Sequence, residues 1–235
     1  MGAVLFVEEF GTMQANNSAE HAVAPWIGVG RLASTGKVRN RRLDVSRFVN
    51  SLMSGYEYRG QAVHMETIPA REASYGHVDP PIAPALWGAL ERMGISSLYT
   101  HQAEAVQLAR EGRDIVVVTS TASGKTLCYN IPVIEQLTRD PKAAALYLFP
   151  TKALAQDQQR GLARIRELEP VLPVKSGTYD GDTPDSMRRQ LREQANIILT
   201  NPDMLHQGIL PSHPSWRRFF AGLRYVVIDE IHAYR

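Results

Sequence analysis

The sequence predicts an α/β fold, a mostly parallel sheet with helices on both faces, preceded by an N-terminal extension. Three observations predict it. From about residue 85 onward, short apolar runs of strand length alternate with segments that carry one apolar helical face. One run, Ile115-Val-Val-Val-Thr119, leads through small residues into Gly124-Lys125-Thr126, the order of a buried strand, a phosphate-binding loop and a helix start. Another, Val226-Val-Ile228, ends in adjacent carboxylates, Asp229 and Glu230.

Residues 1–44 are expected to form a flexible segment, being small and polar after a brief apolar start at Met1–Phe10. Gly30 to Lys37 imitates a phosphate loop, but Val38 replaces the required hydroxyl and no strand precedes it. Arg39-Asn-Arg-Arg42 reads as a solvated arm in preference to a nucleic-acid contact. Residues 45–80 are expected to hold a short accessory helix within Val45–Tyr58, from the spacing of Phe48, Val49 and Leu52, and an extended piece at Val63–Pro69.

The main domain is expected over residues 81–235, opening with a helix at Ala85–Met93 that Gly94 ends. Thr100 reads as the N-cap of the next helix, whose apolar face is Ala103, Val106 and Leu108. Gln102 falls in its first turn, where an amide could pair with a donor and an acceptor on an adenine edge; a solvated helix glutamine is the competing reading. Beyond the loop, strands are expected at Ala144–Phe149, Val174–Tyr179, Asn196–Thr200 and Leu223–Ile228. Helices are expected at Thr151–Leu168, Pro184–Gln194 and Trp216–Ala221. Ligands of such a sheet bind outside the carboxyl ends of its strands.

That edge would carry the chemistry. The loop Thr121, Ala122, Ser123, Gly124, Lys125 and Thr126 would cradle a nucleotide's phosphates on backbone N–H groups, with Lys125 reaching the β- and γ-phosphates and Thr126 holding Mg²⁺. Thr119 stands where the first glycine of such loops is usual. Asp229 would hold Mg²⁺ opposite Thr126, and Glu230 would polarise the attacking water. A capping pair before a helix is the alternative for the two acids.

Composition sets the outer bounds. A 235-residue chain with 44% hydrophobic and 21% charged residues can bury a full core. Its net charge of +2 means that any nucleic-acid footprint must be local. The single cysteine, Cys128, excludes an internal disulfide framework and a multi-cysteine metal site, and on an apolar helix it reads as a small core residue. No apolar run approaches the about 20 residues that cross a bilayer. The first ten residues lack the basic flank of a secretory signal, so a cytoplasmic protein with no membrane partner is expected.

The series Gln102, Thr121–Thr126, Pro150-Thr-Lys-Ala-Leu-Ala-Gln156, Thr200-Asn-Pro-Asp-Met-Leu205 and Asp229-Glu-Ile-His232 resembles that of superfamily 2 DEAD/DEAH-box helicases. Leu98–Gln102, Leu146–Asp157, Thr178-Tyr-Asp-Gly-Asp-Thr-Pro184 and Asn201–His206 are similar, more narrowly, to the bacterial MrfA-like (YprA-like) branch of DNA helicases. The likeness runs from about Val45 to Arg235. It implies a RecA-like P-loop domain, ATP and Mg²⁺ as cofactors, and single-stranded or partly duplex DNA as partner, with RNA not excluded.

The resemblance also implies backbone-phosphate contacts at Thr151, Lys152, Thr200, Asn201 and Asp203, although helix capping competes at Thr151 and Thr200. It gives His232 a catalytic coupling role toward a second RecA-like lobe; alone, such a histidine would read as structural. That lobe, its arginine finger and a Ser-Ala-Thr motif are not found in these residues, which stop just after the Asp-Glu-Ile-His motif. The chain is therefore expected to bind Mg·ATP weakly and not to unwind DNA alone. An RNA-dependent ATPase lobe and an inactive nucleotide- or nucleic-acid-binding module remain the alternatives.

Overall fold

The computed structural model describes residues 3–9, 44–62, 64, 72–119 and 123–234. They fall into two compact units, one made of the first strand with the chain from Ala73 onward, the other lying within residues 14–72. In the second unit a helix, α1 (Val45–Met53), starts where the Asp44 carboxylate accepts the Arg47 N–H at 2.9 Å. It is shorter than the sequence pattern allows, and Val45, Phe48 and Leu52 remain 50–57% exposed. Residues 63 and 65–69 of the expected extended piece lie outside the described residues.

The larger unit begins with a correction. Ala3–Glu9 forms a strand, β1, where a flexible segment was expected; residues 10–43 of that segment lie outside the described residues. The next elements are β2 (Tyr75–Gly76), α2 (Pro84–Arg92), β3 (Leu98–Tyr99), α3 (Thr100–Arg110), β4 (Ile115–Thr119), α4 (Thr126–Arg139), β5 (Ala144–Leu148) and α5 (Lys152–Leu168). Then come β6 (Ser176–Thr178), α6 (Asp185–Gln194), β7 (Ile197–Thr200), a one-turn helix α7 (Pro202–Met204), α8 (Arg217–Gly222) and β8 (Leu223–Asp229). Six strands make one parallel sheet in the order β4-β1-β8-β5-β7-β6, while β2 and β3 form a small antiparallel pair.

Alternation along the strands divides the core. Ile115, Val117, Ala145, Tyr147, Ile197, Leu199 and Val227 face α2 to α5 and pack with Leu90, Val106, Ile134 and Leu162. Leu146, Leu148 and Ile198 face the other way, toward Leu191, Ile209, Trp216 and Phe219. That second layer stops short of β4, whose Val116 and Val118 stay 60% and 48% exposed. No helix among the described residues is long and apolar enough to cross a membrane.

Two buried polar features brace the helical layer. Arg110 on α3 holds both carboxylate oxygens of Glu135 on α4, at 2.9 and 2.6 Å, and also donates to the Pro80 carbonyl. Tyr147 donates to the Asn130 side chain at 2.9 Å. Cys128 is buried beside them, and desolvation pushes its thiol up to about 12, which keeps it protonated and inert.

Candidate functional site

In a parallel sheet every carboxyl end lies on one edge, so the turns after β4, β5, β7 and β8 gather there. Register sharpens this. Val7 of β1 is level with both Val117 of β4 and Asp229 of β8, so the phosphate loop starts within two residues of the height of the acid pair.

The loop is closed by its own hydroxyls. Thr119 Oγ1 lies 2.5 Å from Ser123 Oγ, which gives the residue standing in for the usual glycine a structural task. Gly124 adopts φ +74°, a left-handed turn that glycine reaches without strain. Lys125, only 8% exposed, folds back with Nζ 3.4 Å from the Thr119 carbonyl. Thr126 then opens α4. Thr121 and Ala122 lie outside the described residues.

Gln102 bridges two backbone segments. It is 2% exposed, with Oε1 accepting the Tyr99 N–H at 2.9 Å and Nε2 donating to the Gly124 carbonyl at 2.9 Å. The amide thus ties the start of α3 to the phosphate loop and is not solvated, while its second N–H and second lone pair keep the adenine contact expected from the sequence a proposal. Thr100 is likewise the first helical residue and not the cap; its hydroxyl lies 2.7 Å from that of Ser74.

His101, which the sequence reading passed over, supports the same loop. A carbonyl can only accept, so its Nε2 donates to the Ser123 carbonyl, at 3.1 Å. Burial, reinforced by the charge of Lys125 and partly offset by that hydrogen bond, lowers its pKa and keeps the ring neutral. The ring also stacks on Tyr99, which stacks on Tyr75. Nothing in the sequence marks His101 beyond its place beside Gln102.

At the end of β8, Asp229 is 8% exposed and Glu230 adopts φ 53°, ψ 50°, a left-handed conformation that costs a non-glycine residue about 1–3 kcal/mol. Such strain concentrates at functional sites, and here it turns the chain sharply just past the sheet edge. His232 Nδ1 lies 3.4 Å from Glu230 Oε2. Tyr234 stands nearby; burial first, then the charges of Asp229 and Glu230, raise its pKa.

The residues expected to meet nucleic acid separate into two groups. Thr200 is 2% exposed, and its hydroxyl donates to the Tyr179 carbonyl at 2.6 Å, so it joins β7 to the segment after β6 and is not presented to a phosphate. Thr151 caps α5 by accepting the Leu154 N–H at 3.3 Å, and Asn201 caps α7 by accepting from Met204 at 2.7 Å. Capping uses acceptor capacity alone, which leaves a hydroxyl proton and amide N–H groups able to donate. Lys152 is exposed and pairs at 2.5 Å with Asp182, an exposed contact of little net strength; Asp203 is exposed as well.

Among the described residues no group of three or more His, Cys, Asp or Glu side chains could hold a metal. Mg²⁺ has a different requirement, taking one or two protein oxygens and completing its octahedron with water and phosphate, and the buried Asp229 carboxylate and the Thr126 hydroxyl at the start of α4 are oxygens of the kind it takes.

Residues 99–235 match the family model described as DEAD/DEAH box helicase. The chain is 46% identical over 187 residues to the ATP-dependent helicase YprA of Bacillus subtilis, an alignment covering 80% of this chain and 25% of YprA. It is 40% identical over 195 residues to the ATP-dependent helicase HRQ1 of Saccharomyces cerevisiae, covering 81% of this chain and 18% of HRQ1. The crystal structure of the DUF1998 helicase MrfA bound to DNA and AMPPNP superposes with a TM-score of 0.72 at 45% identity, covering 81% of this chain and 26% of that one. The chain therefore spans about a quarter or less of the length of these relatives.

Proposed function

The chain belongs to the DEAD/DEAH box helicase family and shares its RecA-like α/β fold, and from that premise we propose that it is the ATP-binding motor lobe of a cytoplasmic, ATP-dependent DNA helicase with a part in DNA repair. The observation that carries this reading is the shared sheet edge, with the Gly124–Thr126 loop after β4 and the Asp229–Glu230 pair at the end of β8 at nearly one height. Backbone N–H groups of the loop and the Lys125 ammonium would hold the phosphates of ATP, and Thr126 with Asp229 would hold Mg²⁺. Bound Mg²⁺ would neutralise charge developing on the transferred phosphoryl group. Glu230 would orient the attacking water and accept its proton, and His232, beside Glu230, would relay the state of this site to a second lobe.

Single-stranded DNA would cross the same edge, held through its phosphates by the side chains of Thr151, Lys152 and Asn201 and by the Asp203 backbone N–H at the start of α7, without sequence readout. MrfA bound to DNA and AMPPNP is a neighbour in structure, which favours DNA over RNA as the polymer. Turnover would require an arginine finger from the second lobe, a group worth roughly 10³–10⁵ in rate in related hydrolases.

The test is Mg²⁺-dependent binding of a fluorescent ATP analogue to the chain and to its Lys125→Ala variant, with phosphate release followed with and without single-stranded DNA. Binding that Lys125→Ala weakens about tenfold or more, without appreciable turnover, is the expected result. Equal binding by the two proteins would sink the nucleotide assignment. DNA-stimulated turnover by the chain alone would sink the requirement for a second lobe.

A further inference from the structure

Tyr129 on α4 carries a hydroxyl that packing does not explain. The residue is 1% exposed, and its phenol oxygen has no hydrogen-bond partner among the described residues. Tyr147, whose ring meets it edge-on at 5.3 Å, is different: its hydroxyl donates to Asn130 at 2.9 Å. A buried hydroxyl left unpaired destabilises a fold, and phenylalanine would fill the same space without that loss. Its position supplies a reason. Tyr129 follows Thr126 by three residues on α4, and helical side chains lean toward the N-terminus, so the phenol lies over the first turn on the face of Thr126. Tyr147 of β5 is level with Val227 of β8, and Asp229, two residues on, shares the face of Val227. The phenol thus lies beside both side chains proposed to hold Mg²⁺. Burial, and then the charge of Asp229, raise its pKa well above the usual phenol value, so the proton stays on. The Thr126 hydroxyl opposes them in part, without the geometry of a formed hydrogen bond.

We infer that Tyr129 is a positioning residue of the Mg²⁺ site, its hydroxyl linking Thr126 to Asp229; the inference rests on the function proposed above. A hydroxyl that lends a lone pair to a cation must aim its proton elsewhere, and the Tyr129 oxygen can accept the Thr126 proton. The Tyr129 O–H in turn donates to the Asp229 carboxylate, a charged acceptor. Both protein oxygens are then oriented toward the cation by a group that does not touch it, as residues behind metal ligands commonly do.

Tyr129→Phe tests this, because it removes the hydroxyl and keeps the ring; Tyr147→Phe removes the bonded hydroxyl beside it and serves as the comparison. Thermal midpoints of the 235-residue chain are measured without nucleotide, and a fluorescent ATP analogue is titrated in EDTA and across Mg²⁺ concentrations. Tyr129→Phe is expected to melt no lower than wild type and to bind the analogue equally well in EDTA. It should nevertheless need about tenfold more Mg²⁺ for the half-maximal gain in affinity. Tyr147→Phe is expected to melt lower and to keep the wild-type Mg²⁺ requirement. A midpoint for Tyr129→Phe that falls as far as that of Tyr147→Phe would mark the hydroxyl as structural and overturn the inference. An unchanged Mg²⁺ requirement in Tyr129→Phe overturns it too, as does equal weakening in EDTA and in Mg²⁺. Each of those results leaves the nucleotide site standing when wild type binds the analogue in a Mg²⁺-dependent way. Wild-type binding that ignores Mg²⁺ overturns the function proposed above and this inference with it.

Discussion

The contact between Gln102 and Gly124 gives the sharpest test of how the phosphate loop is held. A methyl group added at Gly124 would lie 2.5 Å from Gln102 Nε2, and the backbone there has φ +74°. The left-handed conformation costs an L side chain about 1–2 kcal/mol. The steric part is relieved if the flexible amide swings aside, but that breaks the 2.9 Å bond from Nε2 to the Gly124 carbonyl, a further loss of about 0.5–1.5 kcal/mol. Together, Gly124→Ala should disfavour the observed loop by about 2–3 kcal/mol, or roughly 30- to 150-fold in Mg·ATP-analogue affinity. Titration of a fluorescent analogue measures it, within a double-mutant cycle that adds Gln102→Ala. In the Gln102→Ala background only the backbone strain remains, so Gly124→Ala should cost less there than in the native chain. A cycle that closes additively, or wild-type affinity in Gly124→Ala, would refute the assignment of Gln102 as the brace of this loop.

Three further outcomes are expected. Glu135→Ala leaves the buried Arg110 charge without its carboxylate and should destabilise the domain by about 3–5 kcal/mol, and Arg110→Ala by less, since Arg139 still lies 3.8 Å from Glu135; joint replacement by Met and Leu should recover most of the thermal midpoint. For His101, whose folded pKa is depressed, the unfolded chain takes up a proton near pH 6.5 while the folded one resists it, so acid favours unfolding. Its contribution is complete above about pH 6.5 and fades below, and the midpoint difference between wild type and His101→Gln should narrow from pH 8 to pH 5. Thr200→Val removes a buried donor to the Tyr179 carbonyl and should lower stability by about 1–3 kcal/mol, while affinity for a fluorescent single-stranded oligonucleotide changes less than twofold on the order of measurement error.

What the sequence disclosed, and what it concealed, follows from the range of the interactions involved. The β4 run, the loop glycine and the acids after β8 were legible because strand burial, the left-handed turn and edge chemistry each depend on a few consecutive residues. Helix ends agreed within a residue or two for the same reason, as at α5, where Thr151 caps the helix as its side-chain chemistry allows. The backbone partners of Gln102, the burial of Thr200 and the first strand were not legible because the partners lie far along the chain: Gly124 is 22 residues away, Tyr179 is 21, and β1 pairs with strands more than a hundred residues distant. A polar side chain at a helix start or a strand end can face a ligand or a neighbouring backbone with equal local chemistry. Only the topology decides between them, and β1 shows why. Ala3–Glu9 starts with a short apolar run, but the strands it pairs with, β4 and β8, begin more than a hundred residues later.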